Sequence, residues 1–357
     1  MAETARRALV AALVFVGVVA LALALWKLRL LIALLFLAFV IAAAMRPGVD
    51  WLHTRRVPRS FGIALHYLAF AGFVALLLWL VVPRALDQVG KALGGDVPTS
   101  QEELRQATKR TTGIAHSVLE RVQDWLGELP GPGGLLDPAL HWTRLGLEIG
   151  FAIFFTLATA AYWIFERDRV IALVATLLPT ERRTLVKHTW ELIDLKLGAY
   201  VRGQLLLIVL VGTVLSLAFW AVGLPYWLLL GAYAGIVEII PVVGPLIAGA
   251  AAVGVGLTVS WGHALGAGLI ILAVRLLEDY VVIPRVLGQA VGVSPLFVIV
   301  AVAGTALLFG EAAILLAIPL AAVIATLFSV LVLDRDPGRE EVPTVLFPSS
   351  ERDVASR

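Results

Sequence analysis

From Ala8 to Trp26 the chain runs 19 residues without a charge, and after Lys27-Leu28-Arg29 a second apolar run extends from Leu30 to Met45. An α-helix needs about 20 apolar residues to cross the hydrocarbon of a bilayer. Arg6-Arg7 in front of the first run and the small residues Ala20-Leu21-Ala22 within it resemble a cleaved leader. The apolar core of a leader, however, spans only about 7–15 residues. The two runs therefore predict a helical hairpin that stays in the membrane.

Composition extends this reading to the whole chain. Sixty per cent of residues are hydrophobic, 15% are charged and mean hydropathy is +0.93. A soluble domain is about 45–50% apolar and about 25% charged. One globular core has no room for the excess, and disorder, collagen and coiled coil are excluded on the same grounds. A porin-like barrel would alternate over segments of about ten residues rather than run apolar. The expected fold is all-α: a polytopic helical membrane protein of about eight spans, some interrupted or re-entrant, with a small helical extracytoplasmic insert.

The net charge of +2 is too balanced to point to nucleic acid. The chain has no cysteine, which removes disulfides, thiol nucleophiles and thiolate metal sites. Its six histidines fall in no metal-binding spacing. No cofactor and no metal are expected.

Residues 1–83 read as N-terminal membrane helices. Residues 46–60 (RPGVDWLHTRRVPRS) carry four arginines and the helix breakers Pro47-Gly48 and Pro58, a cytoplasmic-loop pattern. A third span covers Phe61 to Val82 and is expected to close at Pro83. Residues 84–148 turn polar. Ser100 and Glu103 have capping-box spacing, and Ile114, Val118, Val122, Trp125 and Leu129 form one helical stripe. Such an insert packs against the membrane surface or against a copy of itself, which makes a homo-oligomer one expectation. Residues 149–333 form the membrane core, with a helix over 181–197 expected to lie along the cytoplasmic surface. Residues 334–357 read as a disordered cytoplasmic tail.

The later apolar stretches are interrupted. Ile239-Ile240-Pro241-Val242-Val243-Gly244-Pro245 breaks Trp227–Ser260, and Gly310-Glu311 and Pro319 break Leu296–Leu333. Proline removes amide donors, and freed carbonyls in lipid must face protein or a cavity. Broken segments are where transporters bind solute and ions. The two stretches enter from opposite sides, as in inverted repeats framing a midplane site. Glu238 sits three residues before Pro241 in apolar sequence, an expensive place for a carboxylate without a task. Arg275, Glu278, Asp279 and Arg285 form a second charged group, with Arg275 and Asp279 spaced to pair on a helix. Arg202-Gly203-Gln204 opens the fifth span, where Arg202 reads as a snorkelling anchor. His66 reads as a packing residue of the third span.

The run Leu277-Glu278-Asp279-Tyr280-Val281-Val282-Ile283-Pro284-Arg285-Val286-Leu287-Gly288, followed by Gly292-Val293-Ser294-Pro295, resembles the signature of the AI-2E (autoinducer-2 exporter, PerM-like) transporter family. Tyr200-Val201-Arg202-Gly203-Gln204, the Ile240–Pro245 turn and Ala317-Ile318-Pro319-Leu320-Ala321 add to the likeness, which spans residues 8–333. Glu311 departs from the family pattern of a small or apolar residue after the glycine. The resemblance implies export of a small solute; some members are linked to autoinducer-2 and others to sodium/proton antiport.

The expected pathway residues are Glu238, Pro241, Gly244, Pro245, Arg275, Glu278, Asp279, Pro284, Gly310 and Glu311. Arg202, Gly203, Gln204, Pro295 and Pro319 are expected to anchor the frame. The partners are a small-molecule solute, a coupling proton or sodium ion and the lipid bilayer. No ATPase P-loop (GxxxxGK[ST]) is present, so energy comes from an ion gradient or from the solute's own gradient. Motifs for an intramembrane enzyme are missing too, and a passive channel or assembly scaffold is the alternative.

Orientation follows from the basic residues. With the N-terminus inside, short inside segments hold 19 Lys/Arg and short outside loops hold 2, which places both termini in the cytoplasm of an inner-membrane protein. A single cysteine at Thr108 of this cysteine-free chain should label with an impermeant maleimide from outside. Labelling only from the cytoplasm would invert the topology.

Overall fold

The computed structural model describes residues 2–92, 136–240, 243–283, 295–340 and 342. The capping box and the stripe of the insert, Pro241, Pro284, Arg285 and most of the tail lie outside these residues. Ten α-helices and no strand occur among the described residues: α1 (Ala2–Lys27), α2 (Arg29–Thr54), α3 (Arg59–Ala92), α4 (Leu136–Thr176), α5 (Thr180–Ala221), α6 (Trp227–Val237), α7 (Val243–Val259), α8 (Trp261–Leu277), α9 (Pro295–Phe309) and α10 (Ala317–Leu331). A π-helical turn, Glu278–Val282, continues α8, and 3₁₀ turns cover Glu311–Leu316 and Pro337–Arg339. Six described helices are long and apolar enough to cross a membrane, and the chain is an all-α polytopic membrane protein.

Several boundaries differ from the sequence reading. α2 runs through Pro47, and α3 runs through Pro83 to Ala92. A proline inside a helix loses one amide bond, whereas ending the helix there orphans a whole turn of carbonyls. The Arg46–Asp50 ion pair (3.3 Å, i,i+4) and the wholly buried Val49 hold the last turns of α2 in place of a loop. Residues 181–197 are not a separate surface helix. They continue without a break into the fifth apolar run as the 42-residue α5. Helix continues past both borders assigned to the insert, since α3 ends at Ala92 and α4 begins at Leu136. The start of the tail is ordered as well: Pro337 is buried, and the Glu340 carboxylate accepts from Lys196 Nζ at 2.6 Å.

α5 is the spine. It packs on α2, α4, α6, α8, α10 and the turn at 337–339. Small residues permit the closest approaches. A Cβ on Gly198 would lie 2.5 Å from the Ala43 carbonyl oxygen of α2, and one on Gly235 would lie 2.6 Å from the Ile208 carbonyl oxygen of α5. The core of the C-terminal half joins Val211, Leu215 and Phe219 of α5 to Leu230, Ala234, Ala248 and Ala267. α1, by contrast, buries none of its apolar window, and neither does α3.

α6 and α7 have 11 and 17 residues. At about 1.5 Å per residue neither covers the roughly 30 Å of hydrocarbon. They pair as a broken hairpin, and α9 and α10 form a second around the 3₁₀ turn. Both interruptions expected from Pro and Gly are therefore present. Gly310 has φ of 95°, a left-handed conformation that glycine adopts without the Cβ penalty. Pro245 and Pro319 lie in the first turns of α7 and α10, and Pro295 is the first residue of α9, positions where a missing amide costs nothing.

The close α5–α6 crossing predicts opposite outcomes for two substitutions. Gly235→Ala forces backbones apart and should lower stability by about 1–3 kcal/mol. Gly254→Ala meets nothing within 4 Å and should be neutral or stabilising by up to about 1 kcal/mol. Thermal melts in detergent measure both; equal melting temperatures would refute the crossing.

Candidate functional site

The first break carries a buried ionic cluster. Glu238 follows the last residue of α6, is 5% exposed, and faces the C-terminal end of α8. Arg275 Nη1 lies 3.4 Å from Glu238 Oε1 and 3.3 Å from Glu278 Oε2, while Nη2 lies 3.0 Å from Asp279 Oδ1. Glu278 is 3% exposed and Asp279 is exposed. The α-helix ladder of α8 changes to a π turn at Glu278, the residue that takes its carboxylate to Arg275. Single π turns inside helices are frequent at functional sites.

α5 completes the cluster. Gln204, itself buried, donates through Nε2 to the main-chain carbonyl of Glu238 at 2.9 Å. Among the described residues that carbonyl, at the break, has no main-chain donor, and the side chain supplies one. Gly244 is buried at the start of α7, with its amide on the Ile240 carbonyl at 2.8 Å; a Cβ there would collide with the Val237 carbonyl. Glycine at 244 therefore lets the two arms of the break close.

Three carboxylates, from Glu238, Glu278 and Asp279, meet one guanidinium among the described ion pairs. Buried charge without a counter-charge is costly. No group of three or more metal-ligating side chains with metal-site geometry occurs among the described residues.

The sequence-derived residues thus divide. Glu238, Arg275, Glu278, Asp279, Gln204 and Gly244 come together. Gly310 and the turn from Glu311 pack elsewhere, on α2 and on the arms of their own hairpin. Pro319 is fully buried in the first turn of α10, and Gly203 is buried in α5. Arg202 does not snorkel: it is 5% exposed and donates from Nη1 to the Ala44 carbonyl at 3.1 Å, tying α5 to α2. His66 hydrogen-bonds the Gly62 carbonyl of its own helix at 2.8 Å, as a packing residue does.

Sequence reasoning missed a second buried network. Asp194 of α5 accepts from Arg167 Nε of α4 and lies 3.4 Å from Arg46 Nη1 of α2. Asp194, Arg167 and the nearby Lys196 are all at most 7% exposed. Lys196 also reaches Thr326 Oγ1 of α10 at 3.3 Å. The available signal was Leu192-Ile193-Asp194-Leu195-Lys196-Leu197, two charges set singly among apolar residues. Assigning the segment to an amphipathic surface helix hid it.

Arg275→Ala should leave two carboxylates buried without their guanidinium and lower stability by about 2–3 kcal/mol, less than for a fully buried pair because Arg275 is 27% exposed. Adding Glu238→Gln should restore part of that loss. Additive losses in a double-mutant cycle would show that the two groups do not interact.

The AI-2E family transporter profile matches residues 13–333. "Putative transport protein YrrI" of Bacillus subtilis is 25% identical, over 81% of this chain and 83% of its own length. "Putative transport protein YueF" of the same organism is 28% identical, over 83% and 84%. "Putative permease PerM" of Escherichia coli is 26% identical, over 82% and 85%. With the family profile spanning nearly the whole helical core, this multi-pass membrane protein belongs to the AI-2E transporter family.

Proposed function

We propose that this chain is a secondary transporter that exports a small solute through the inner membrane, driven by a proton or sodium gradient. Both termini then lie in the cytoplasm and the 84–148 insert outside. The family is one of transporters rather than enzymes. The observation that carries the coupling is the pairing of Glu238 and Glu278 around Arg275 at a broken membrane helix. Ionisable residues inside membrane segments mark ion and proton pathways. Breaks in such segments present backbone groups to solute and ions.

The physical logic is exchange. With all three acids ionised, the cluster is short of positive charge, and a cation entering from one side relieves it. Arg275 sits between Glu238 and the Glu278–Asp279 pair, so occupancy of one carboxylate changes what the guanidinium offers the other. Glu238 stands on α6 and Glu278 at the end of α8, so redistribution of charge pulls on both arms of the broken element. That links ion binding to movement of the hairpin, the step alternating access requires. A passive channel is the competing reading; it needs no charge change at these carboxylates.

In sealed proteoliposomes, Glu238→Gln should abolish gradient-driven flux, by about 100-fold or more, with expression and melting temperature retained. A screen of candidate solutes under imposed pH or sodium gradients supplies the substrate. Wild-type flux and gradient dependence in Glu238→Gln would reject coupling at this site. Flux in the native protein that ignores both gradients would favour the channel.

A further inference from the structure

A cavity of about 690 Å³ opens between α2, α4, α5 and α10, away from the ionic cluster. That volume falls within the ~300–1,000 Å³ range of small-molecule sites. Its wall is built around Phe39, Trp163 and Trp190. The two indoles stack at 5.8 Å, and Phe39 meets each of them edge-on at 5.4 and 6.1 Å. Ile193, Val323 and Leu327 are among the residues that extend the apolar surface. The lining offers almost nothing to a polar ligand. The Thr189 hydroxyl is already committed to the Leu185 carbonyl at 2.7 Å. Thr159 Oγ1 and the unpartnered Trp190 Nε1 are the few polar atoms left along the wall, too few to replace the water shell of an ion or a sugar-like solute.

One end of the cavity has a different character. Leu185 and Val186 line it, and Arg182 lies three and four residues before them, on the same face of α5 and one turn farther out. Arg182 and Lys187 are exposed. The first nine residues of α5 carry Arg182, Arg183 and Lys187 against Glu181 alone. Leu35, Leu327 and Leu331, all exposed, leave the opposite wall open along α2 and α10. An apolar slot that is open along its side and basic at one end matches a chain with an anionic head.

We propose that this cavity holds an acyl chain of an anionic membrane phospholipid, with the phosphate drawn to Arg182 and its basic neighbours. The aromatic wall belongs to three different helices, α2, α4 and α5, and the far wall to α10. A chain in the slot therefore bridges the N-terminal helices to the spine. Burial of the chain in the slot competes with the bilayer interior, which is equally apolar. Specificity over bulk lipid then rests on shape and on the basic end.

The test uses the full-length protein in phosphatidylcholine vesicles doped with a phosphatidylglycerol that carries a diazirine in its acyl chain. After irradiation, peptides containing Phe36–Phe39 and Thr189–Ile193 should be labelled at least about fivefold more than the Leu9–Leu25 segment of α1, which samples bulk lipid in the same molecule. Val323→Trp fills the slot and should bring the ratio to that of bulk lipid while α1 labelling stays constant. Leu327→Trp, at the rim, does the same if the first variant fails to fold. Arg182→Glu should reduce labelling by the phosphatidylglycerol probe and spare that by a phosphatidylcholine probe. Equal labelling of slot and α1, or a ratio that survives both tryptophans, would overturn the site. Equal loss of both probes in Arg182→Glu would overturn the anionic headgroup.

Discussion

Inside hydrocarbon there is no water to accept an orphaned amide or carbonyl, so every departure from helix must be satisfied by protein. The fold follows from this constraint. Prolines at 47 and 83 are absorbed into continuous helices because one lost bond costs less than a frayed end. Where the chain does break, after Val237, its freed carbonyl is met by Gln204 from the spine. The break persists because another helix holds it.

That dependence explains why α5 governs the molecule. It supplies Gln204 to the first break, Arg202 to the Ala44 carbonyl of α2, and Asp194 and Lys196 to the second network. Polar groups buried along one helix connect α2, α4, α6 and α10 and the ordered start of the tail. Apolar packing alone gives weak direction among membrane helices, because lipid is as apolar as leucine. The few fixed polar ties, with glycine contacts at 198 and 235, set which helices meet. Beneath the tie at Gln204, the carboxylates of Glu238 and Glu278 face one guanidinium.

Much of this was legible in the sequence, because hydrophobic length is a direct record of the bilayer. The spans beginning near Ala8, Leu30, Phe61, Ile149 and Gln204, and both interruptions, follow from apolar runs and from Pro and Gly. The Arg275–Asp279 pair was legible too, since helical spacing fixes it. The meeting of Glu238 with Arg275 was not. It joins residues 37 apart through the hairpin geometry of α6 to α8, which local pattern does not encode. Helix ends were misread wherever proline or a charge was taken as a stop. The Asp194 network escaped because its partners stand on three helices, each charge looking like an ordinary span boundary on its own. The ordered start of the tail escaped similarly: the residues of 334–340 are polar, but Lys196 lies buried and needs the Glu340 carboxylate.

The proposed coupling requires Glu238 and Glu278 to act as one cation-binding unit. Infrared difference spectra of the purified protein, recorded on stepping pH or sodium, report carboxyl and carboxylate vibrations directly. A band should appear that vanishes in Glu238→Gln and shifts in Glu278→Gln, because the two groups share Arg275. Difference spectra in both variants identical to wild type would contradict it.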